Sequence, residues 1–467
     1  MVRARLLGAV AVAGVMGVSV AGRAAVVTLG AEHEIRVDGQ PFLPIMQWAQ
    51  CPSQIAHQAT LGINTFVGNG CAGSATSLEY LDACAANGVW GVLGNGDLSV
   101  KNHGSLLGWI FGDEPDLDGN EVEPATLKTQ YDALRAQDPN HPAFTTLTAG
   151  FYSEGSLPAW MGGSRSRYDD YPKATDVIGF DIYPVYGWCQ PSWLYKVGAA
   201  QSELIGYAPT NGTYQWIEAA KTSSKWCNLA ARLPDDGPYP EEIRNEVFQV
   251  LANGATAIGY FTHSWECPGT TYKQFCLSAA QESELARTNA QLTALARPIL
   301  SPRYTGAVTT SVSGGGRLDT IARSYDGAIY LIAVSIERAA KTATFTVGGV
   351  PSGTTVTVYD EGRTLTTAGE SFTDAFAALA VHIYVIDSGS PSADGGAPGG
   401  DPGPSGDGLQ SGDAGPTDGR AEASGLASLC GCRSASDGAW LGVFVLSRGI
   451  RRRSGSRGQP AAAARSG

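Results

Sequence analysis

From Phe42 onward the chain alternates short apolar runs with longer stretches in which apolar residues recur at helical spacing. The runs FLPIMQWA (42–49), INTFVGN (63–69), VWGVLGN (89–95), LLGWIFG (106–112), AFTTLTAG (143–150), DVIGFDIYPV (176–185), TYQWIEA (213–219) and ATAIGYFTHSW (255–265) read as strands. Between and after them, 52–62, 77–88, 125–138, 192–207, 241–254 and 283–300 read as helices. The segment 77–88 ends on Gly88, a C-cap signal. The helix between the fifth and sixth strands is poorly marked. Eight strands alternating with helices over about 260 residues match an α/β fold, the (β/α)8 TIM barrel, whose usual size is about 250 residues. A doubly wound open sheet is the competing α/β solution. It carries a Gly-rich phosphate turn after its first strand, where this chain has MQWAQCPSQ.

The flanks have other patterns. VVTLGAEHEIRVDGQPF (26–42) alternates around turn formers and predicts a small β-hairpin, so the barrel unit is expected over 25–302. Residues 303–387 hold alternating β-branched runs with Gly turns, an all-β, sandwich-like domain. The Gly, Pro, Ser and Asp stretch 388–425 has the composition of a disordered linker. At the other end, Arg3 and Arg5 precede a small and apolar run closing on Ser19-Val20-Ala21, the layout of a signal peptide over 1–24. An uncleaved anchor is the alternative for that run. LCGCRSASDGAWLGVFVLSRGIRRR (429–453) resembles the C-terminal sorting signal of exported myxobacterial proteins, with a Cys pair, a short apolar stretch and an arginine cluster. That resemblance implies a secreted or cell-surface (outer-membrane) protein, attached through the tail 426–467.

Composition narrows the function classes. Apolar residues make up 43% of the chain and charged residues 16%, with a net charge of −12, and no basic helix or basic patch occurs. A nucleic-acid partner is not expected. Seven of the nine cysteines fall in the folded region, without CxxC or CxxC/HxxxH spacing, so neither a metal site nor a cofactor is implied. Cys51 and Cys71 follow neighbouring strands. Cys189 and Cys227 lie in the loops after the sixth and seventh strands, and Cys267 and Cys276 share one loop. These three pairs are the expected disulfides, with Cys84 a buried thiol inside a helix, although sequence alone does not fix connectivity.

The active site of such a barrel lies at the C-terminal ends of its strands. Those ends carry Trp48, Asn69, Asn95, Asp113-Glu114, Thr148, Asp181 with Tyr183, Glu218 and Trp265. Glu114 and Glu218 follow the fourth and seventh strands, which face each other across a barrel. Two opposed carboxylates suit glycosidic bond cleavage, one giving a proton to the leaving oxygen and the other attacking the anomeric carbon or activating water. Flat indoles at Trp48, Trp188 and Trp216 suit either sugar stacking or packing. His263 points either into the site or into the core, and Trp109 reads as core.

Glutamates after strands four and seven with Trp265 after strand eight resemble the clan A glycoside hydrolases, a retaining (β/α)8 superfamily. The similarity spans about residues 40–300, and VDGQPFLPI (37–45) looks like the usual entry to its first strand. The resemblance implies a β-glycosidase with Glu114 as acid/base, Glu218 as nucleophile, Tyr183 bonded to the nucleophile and Trp265 as a stacking floor for the sugar. The chain departs from it in carrying Asp113 where most members have Asn, and Asn69 where many have Arg. The rival readings are an inverting glycosidase, a glycan-binding barrel without turnover, and a structural or adhesive surface protein.

Overall fold

The computed structural model describes residues 24–387 apart from 225, 226, 228, 230, 231 and 233–236. The expected signal peptide (apart from Ala24), linker and tail lie outside the described residues. Eight parallel strands close into one barrel in the order of the chain: β4 (Ile45–Gln50), β5 (Thr65–Asn69), β6 (Trp90–Gly94), β7 (Leu106–Ile110), β8 (Ala143–Leu147), β9 (Val177–Phe180), β10 (Gly212–Glu218) and β11 (Ile258–Phe261). The seam closes where Ile258 pairs with Ile45 and Tyr260 with Gln47. The sheet is therefore the expected barrel and not an open one.

A three-stranded antiparallel sheet precedes it, β1 (Val27–Leu29), β2 (Ile35–Val37) and β3 (Gln40–Phe42). The expected hairpin thus gains a third strand, and Phe42 belongs to that strand instead of the barrel. The helices are α1 (Pro52–Thr60), α2 (Ser77–Ala86), α3 (Pro124–Gln137), α4 (Lys196–Tyr207), α5 (Pro240–Ala252), α6 (Ala279–Ala294) and the short α7 (Ala296–Ile299). Local sequence sets their starts. Proline occupies the first turn of α1, α3 and α5, where its missing N–H has no intrahelical acceptor to lose. Thr76 with Glu79 and Ser278 with Gln281 form capping boxes on α2 and α6. Only short 3-10 turns join β6 to β7 and β8 to β9, so the poorly marked helix between the fifth and sixth strands does not form as an α-helix.

The barrel interior is filled by Met46, Val67, Val92, Leu107, Phe144, Tyr214 and Trp216. Glycines on neighbouring strands make that packing possible. A Cβ on Gly179 would sit 2.2 Å from the Tyr214 ring, and one on Gly259 2.3 Å from Trp216. Outside the barrel a second core, including Trp109, lies between strands and helices.

The C-terminal region holds two antiparallel sheets. One has β12 (Val308–Val312), β15 (Lys341–Val347) and β18 (Ser371–Phe376). The other has β13 (Leu318–Tyr325), β14 (Ala328–Ser335), β19 (Val381–Asp387), β16 (Thr355–Val358) and β17 (Arg363–Thr366). Phe345, Phe372, Phe376, Val356, Val358, Leu331 and Tyr384 form the core between them. This sandwich leans on α5, where Asn245 donates to the carbonyls of Ser335 and Leu379, both at 2.9 Å.

Candidate active site

The fourth barrel strand ends on GDEPD (112–116), and each acid there has a separate task. Asp116 is an anchor. Its carboxylate accepts from the Thr148 N–H (2.9 Å), the Thr148 hydroxyl (2.6 Å) and the Tyr168 hydroxyl (2.7 Å), which ties the exit of β7 to the exit of β8. Glu114 turns sharply, at φ 46°, although it precedes a proline. A non-glycine residue in the left-handed region costs on the order of 1–3 kcal/mol and persists only where its surroundings impose it. The turn leaves Glu114 4% exposed and hydrogen-bonded to the Asp181 carboxyl at the end of β9. Asp113 is half-buried beside them.

No described cation pairs with Asp113, Glu114, Asp116 or Asp181. Burial, with the negative charge of Asp113 next in weight, pushes the Glu114 carboxyl up to about 8. Burial and then Asp116 push Asp113 up to about 7. Asp181 is also raised well above the carboxylate range, by burial first and Glu114 second, and its Oδ1 is buried without a partner. Near neutral pH the three carboxyls hold protons that an exposed acid would have lost.

Glu218 ends β10 on the same strand face as Tyr214 and Trp216, yet its carboxylate turns onto the loop after β9. It accepts the N–H groups of Val185 (2.8 Å), Tyr186 (2.6 Å) and Gly187 (3.0 Å), while its own N–H donates to Glu246 (3.2 Å). None of its surface is exposed. Both of its oxygens are thus engaged by loop amides, while its charge, like that of Glu114, is felt at Tyr183. Burial lifts its carboxyl to about 8 against the lowering effect of the three amides. Tyr183 lies between the two ends, its hydroxyl held unionised by burial and by Asp181, Asp113, Glu114 and Glu218 in that order.

An aromatic run borders the carboxyls. Tyr183 stacks on Phe261 (5.1 Å), Phe261 faces Trp265 (6.4 Å), and Trp265 meets Tyr272 (5.5 Å). His263 lies among them, near the Tyr272 hydroxyl (3.1 Å) and the Trp48 carbonyl (3.3 Å), and burial lowers it to about 4, so its ring is neutral. Trp48 is half-buried, edge-on to Trp216 at 5.1 Å.

Three expected binding residues are engaged by other groups of the protein. Trp216 is 2% exposed and donates to Thr146, so it is barrel floor with no free face for a sugar. Asn69 spends its amide on its own loop, donating to the Ala75 carbonyl and accepting from Cys71 N–H. Trp188 packs its ring edge-on to Trp193, while its backbone N–H donates to the Tyr183 carbonyl at 2.8 Å. Conversely, Asp181, Phe261 and Tyr272 join the site without having been assigned a role from sequence. Asp181 carried the same signal as Glu114, a strand that stops on an acid.

The loops around the mouth are held by Cys51–Cys71, Cys189–Cys227 and Cys267–Cys276, the three expected pairs. Cys84 is free and buried, its thiol pushed up to about 12. Among the described residues no group of acids, histidines and cysteines is arranged to hold a metal ion.

No protein-family model and no curated protein matches the chain. Among solved structures it is similar to an α-amylase from Geobacillus thermoleovorans complexed with acarbose, at 8% identity and TM-score 0.48 over 74% of this chain and 99% of that one. It is also similar to α-galactosidase I from Mortierella vinacea, at 12% identity and TM-score 0.46 over 75% and 98%. A GH30 endoxylanase from Clostridium papyrosolvens aligns at 11% identity and TM-score 0.40 over 74% and 96%. None of these likenesses identifies a substrate for this chain.

Proposed function

We propose that the protein is an exported glycoside hydrolase that cleaves β-glycosidic bonds of an oligo- or polysaccharide, with Glu114 as the general acid. The observation that supports this best is a carboxyl at a barrel mouth whose pKa is pushed up to about 8, bonded to Asp181 and bordered by aromatic rings. In the proposed reaction the Glu114 proton passes to the leaving oxygen as the anomeric C–O bond breaks. Asp113 is the second carboxylate in place of the sequence-expected Glu218, because it is more open than Glu114 and Asp116 and its carboxylate has no hydrogen-bond partner among the described residues. It takes the proton of the attacking water, or attacks the anomeric carbon itself. Glu218 serves as the anchor of the loop after β9. The N-terminal run and the tail support export and surface attachment, which cell fractionation and mass measurement of the mature chain would test.

The direct experiment is hydrolysis of a panel of aryl β-glycosides and β-glucans by three variants. Glu114→Gln and Asp113→Asn should each lose about 10²–10⁴ in kcat. Glu218→Gln should lose activity only in proportion to lost stability. Should Glu218→Gln lose as much as Glu114→Gln while Asp113→Asn stays active, with the first-formed product retaining its anomeric configuration, the two-glutamate retaining pair is restored. One observation favours a second reading, a glycan-binding barrel without turnover: the Glu218 carboxylate is fully buried and engaged by three loop amides. That reading requires Glu114→Gln to bind glycans as the native chain does and neither protein to hydrolyse them.

A further inference from the structure

The Glu218 anchor is the visible end of a longer chain of contacts that leaves the barrel. Glu242, on the first turn of α5, is fully buried and shared by two arginines. Arg232, from the loop after β10, donates to both its oxygens, at 3.0 and 2.5 Å. Arg338, from the sandwich turn between β14 and β15, donates to Oε1 at 2.8 Å. The same Arg338 guanidinium donates through Nε to the Pro191 carbonyl at 3.1 Å. Pro191 belongs to the loop after β9, the loop whose amides Glu218 holds four to six residues earlier.

An apolar contact runs parallel to this polar one. Leu379 of the sandwich, 6% exposed and at φ 55°, joins Val185, Tyr186, Leu194 and Cys227 in one small cluster. Val185 and Tyr186 are two of the three Glu218 donors, and Cys227 bonds to Cys189 of the same loop. Asn245 then fixes the Leu379 carbonyl to α5 at 2.9 Å. The sandwich therefore touches the mouth loop twice, once through a charged group at Pro191 and once through an apolar side chain on Val185 and Tyr186, two of the residues that Glu218 grips.

We infer that Arg338 and Leu379 of the β-sandwich are positioning residues for the barrel mouth, holding the loop after β9 so that Val185, Tyr186 and Gly187 present their N–H groups to Glu218. The sandwich is then a working part of the site and not an appended module. Without Arg338, Glu242 keeps Arg232 but the loop loses its polar link to α5. Without the Leu379 side chain, Val185 and Tyr186 lose a packing partner. Tyr183, two residues before Val185, shares the displacement and carries it to the carboxyl group of the mouth.

Hydrogen exchange on the whole chain tests this without a substrate, so its failure and the failure of the glycosidase proposal are distinguishable. In the native protein the amides of 185–187 should exchange slowly. In Arg338→Gln they should exchange about tenfold faster or more, while barrel strands and the sandwich core keep their native rates, because local openings differ in free energy across one fold. Arg338→Lys keeps a donor for the Pro191 carbonyl and should recover part of the protection. Leu379→Ala gives an independent reading of the same amides should Arg338→Gln fold poorly. If exchange at 185–187 is unchanged in both Arg338→Gln and Leu379→Ala, the inference is overturned. It is equally overturned if protection falls uniformly over the whole sandwich and α5, which would make these residues ordinary interdomain contacts.

Discussion

At the scale of single residues, the site turns on how a barrel can hold protonated acids near neutrality. Among the described residues no cation pairs with Glu114 to stabilise its ionised form, and its environment raises its carboxyl to about 8. Asp113 is raised to about 7, so the two titrate as a pair, the more open one ionising first. If Glu114 must be protonated and Asp113 ionised, kcat/KM should fall below about pH 7 and again above about pH 8, a narrow bell that Glu114→Gln abolishes. The same shift has a sign for stability. A carboxyl whose pKa is higher folded than unfolded binds protons more tightly in the native state. Its contribution is fully present below the unfolded carboxylate range and is lost as pH rises through about 8. Each such group makes unfolding easier by about 1.4 kcal/mol per pH unit inside that window. Urea midpoints measured from pH 5 to pH 9 should therefore fall with pH, and fall less steeply in Glu114→Gln. A midpoint that rises over that range would show that the cluster is ionised in the folded chain.

At the scale of elements, the three disulfides differ in the length of chain they close. In the chain-entropy picture the stabilisation grows with the logarithm of that length. Cys189–Cys227 spans 38 residues, Cys51–Cys71 spans 20 and Cys267–Cys276 spans 9. Double serine replacements should cost about 4, 3 and 2.5 kcal/mol in that order, read by chemical denaturation. These pairs were legible because each Cys falls in a loop whose flanking strands are readable, and barrel order then fixes which loops adjoin. The strands were legible for the same reason, apolar runs buried on both faces. What Glu218 does was not. The alternation in TYQWIEA places Tyr214, Trp216 and Glu218 on one face, which correctly aims Glu218 inward. The amides that capture it come from residues more than 30 positions earlier, and their approach depends on the course of an irregular loop. Trp216 could have been recognised as floor from that same alternation, since it sits two residues deeper than the strand end.

At the scale of the whole molecule, the barrel and the sandwich share apolar surface that neither can expose cheaply. Ile321, Ile332, Val334, Val381 and Ile383 of the sandwich belong to the same buried core as Ile243, Val247 and Val250 of α5. Burial of a side chain of this size contributes about 1.5–3 kcal/mol. Five of them give roughly 8–15 kcal/mol gross, comparable with the net stability of an ordinary domain of about 5–15 kcal/mol. Polar contacts add direction to that surface: Asn253 to Asp319 at 2.9 Å and the Arg323 guanidinium to the Ser301 carbonyl at 2.8 Å. Two units coupled by an energy of that size should unfold together. Calorimetry on residues 24–387 should give a single transition whose calorimetric and van't Hoff enthalpies agree. A chain ending at residue 302 would leave the α5 face bare and should aggregate or melt well below the longer chain. Two resolved transitions, with the barrel melting alone at its native temperature, would mean that the apolar face is dispensable, and the sandwich could not then hold the mouth loop in the way Arg338 and Leu379 imply.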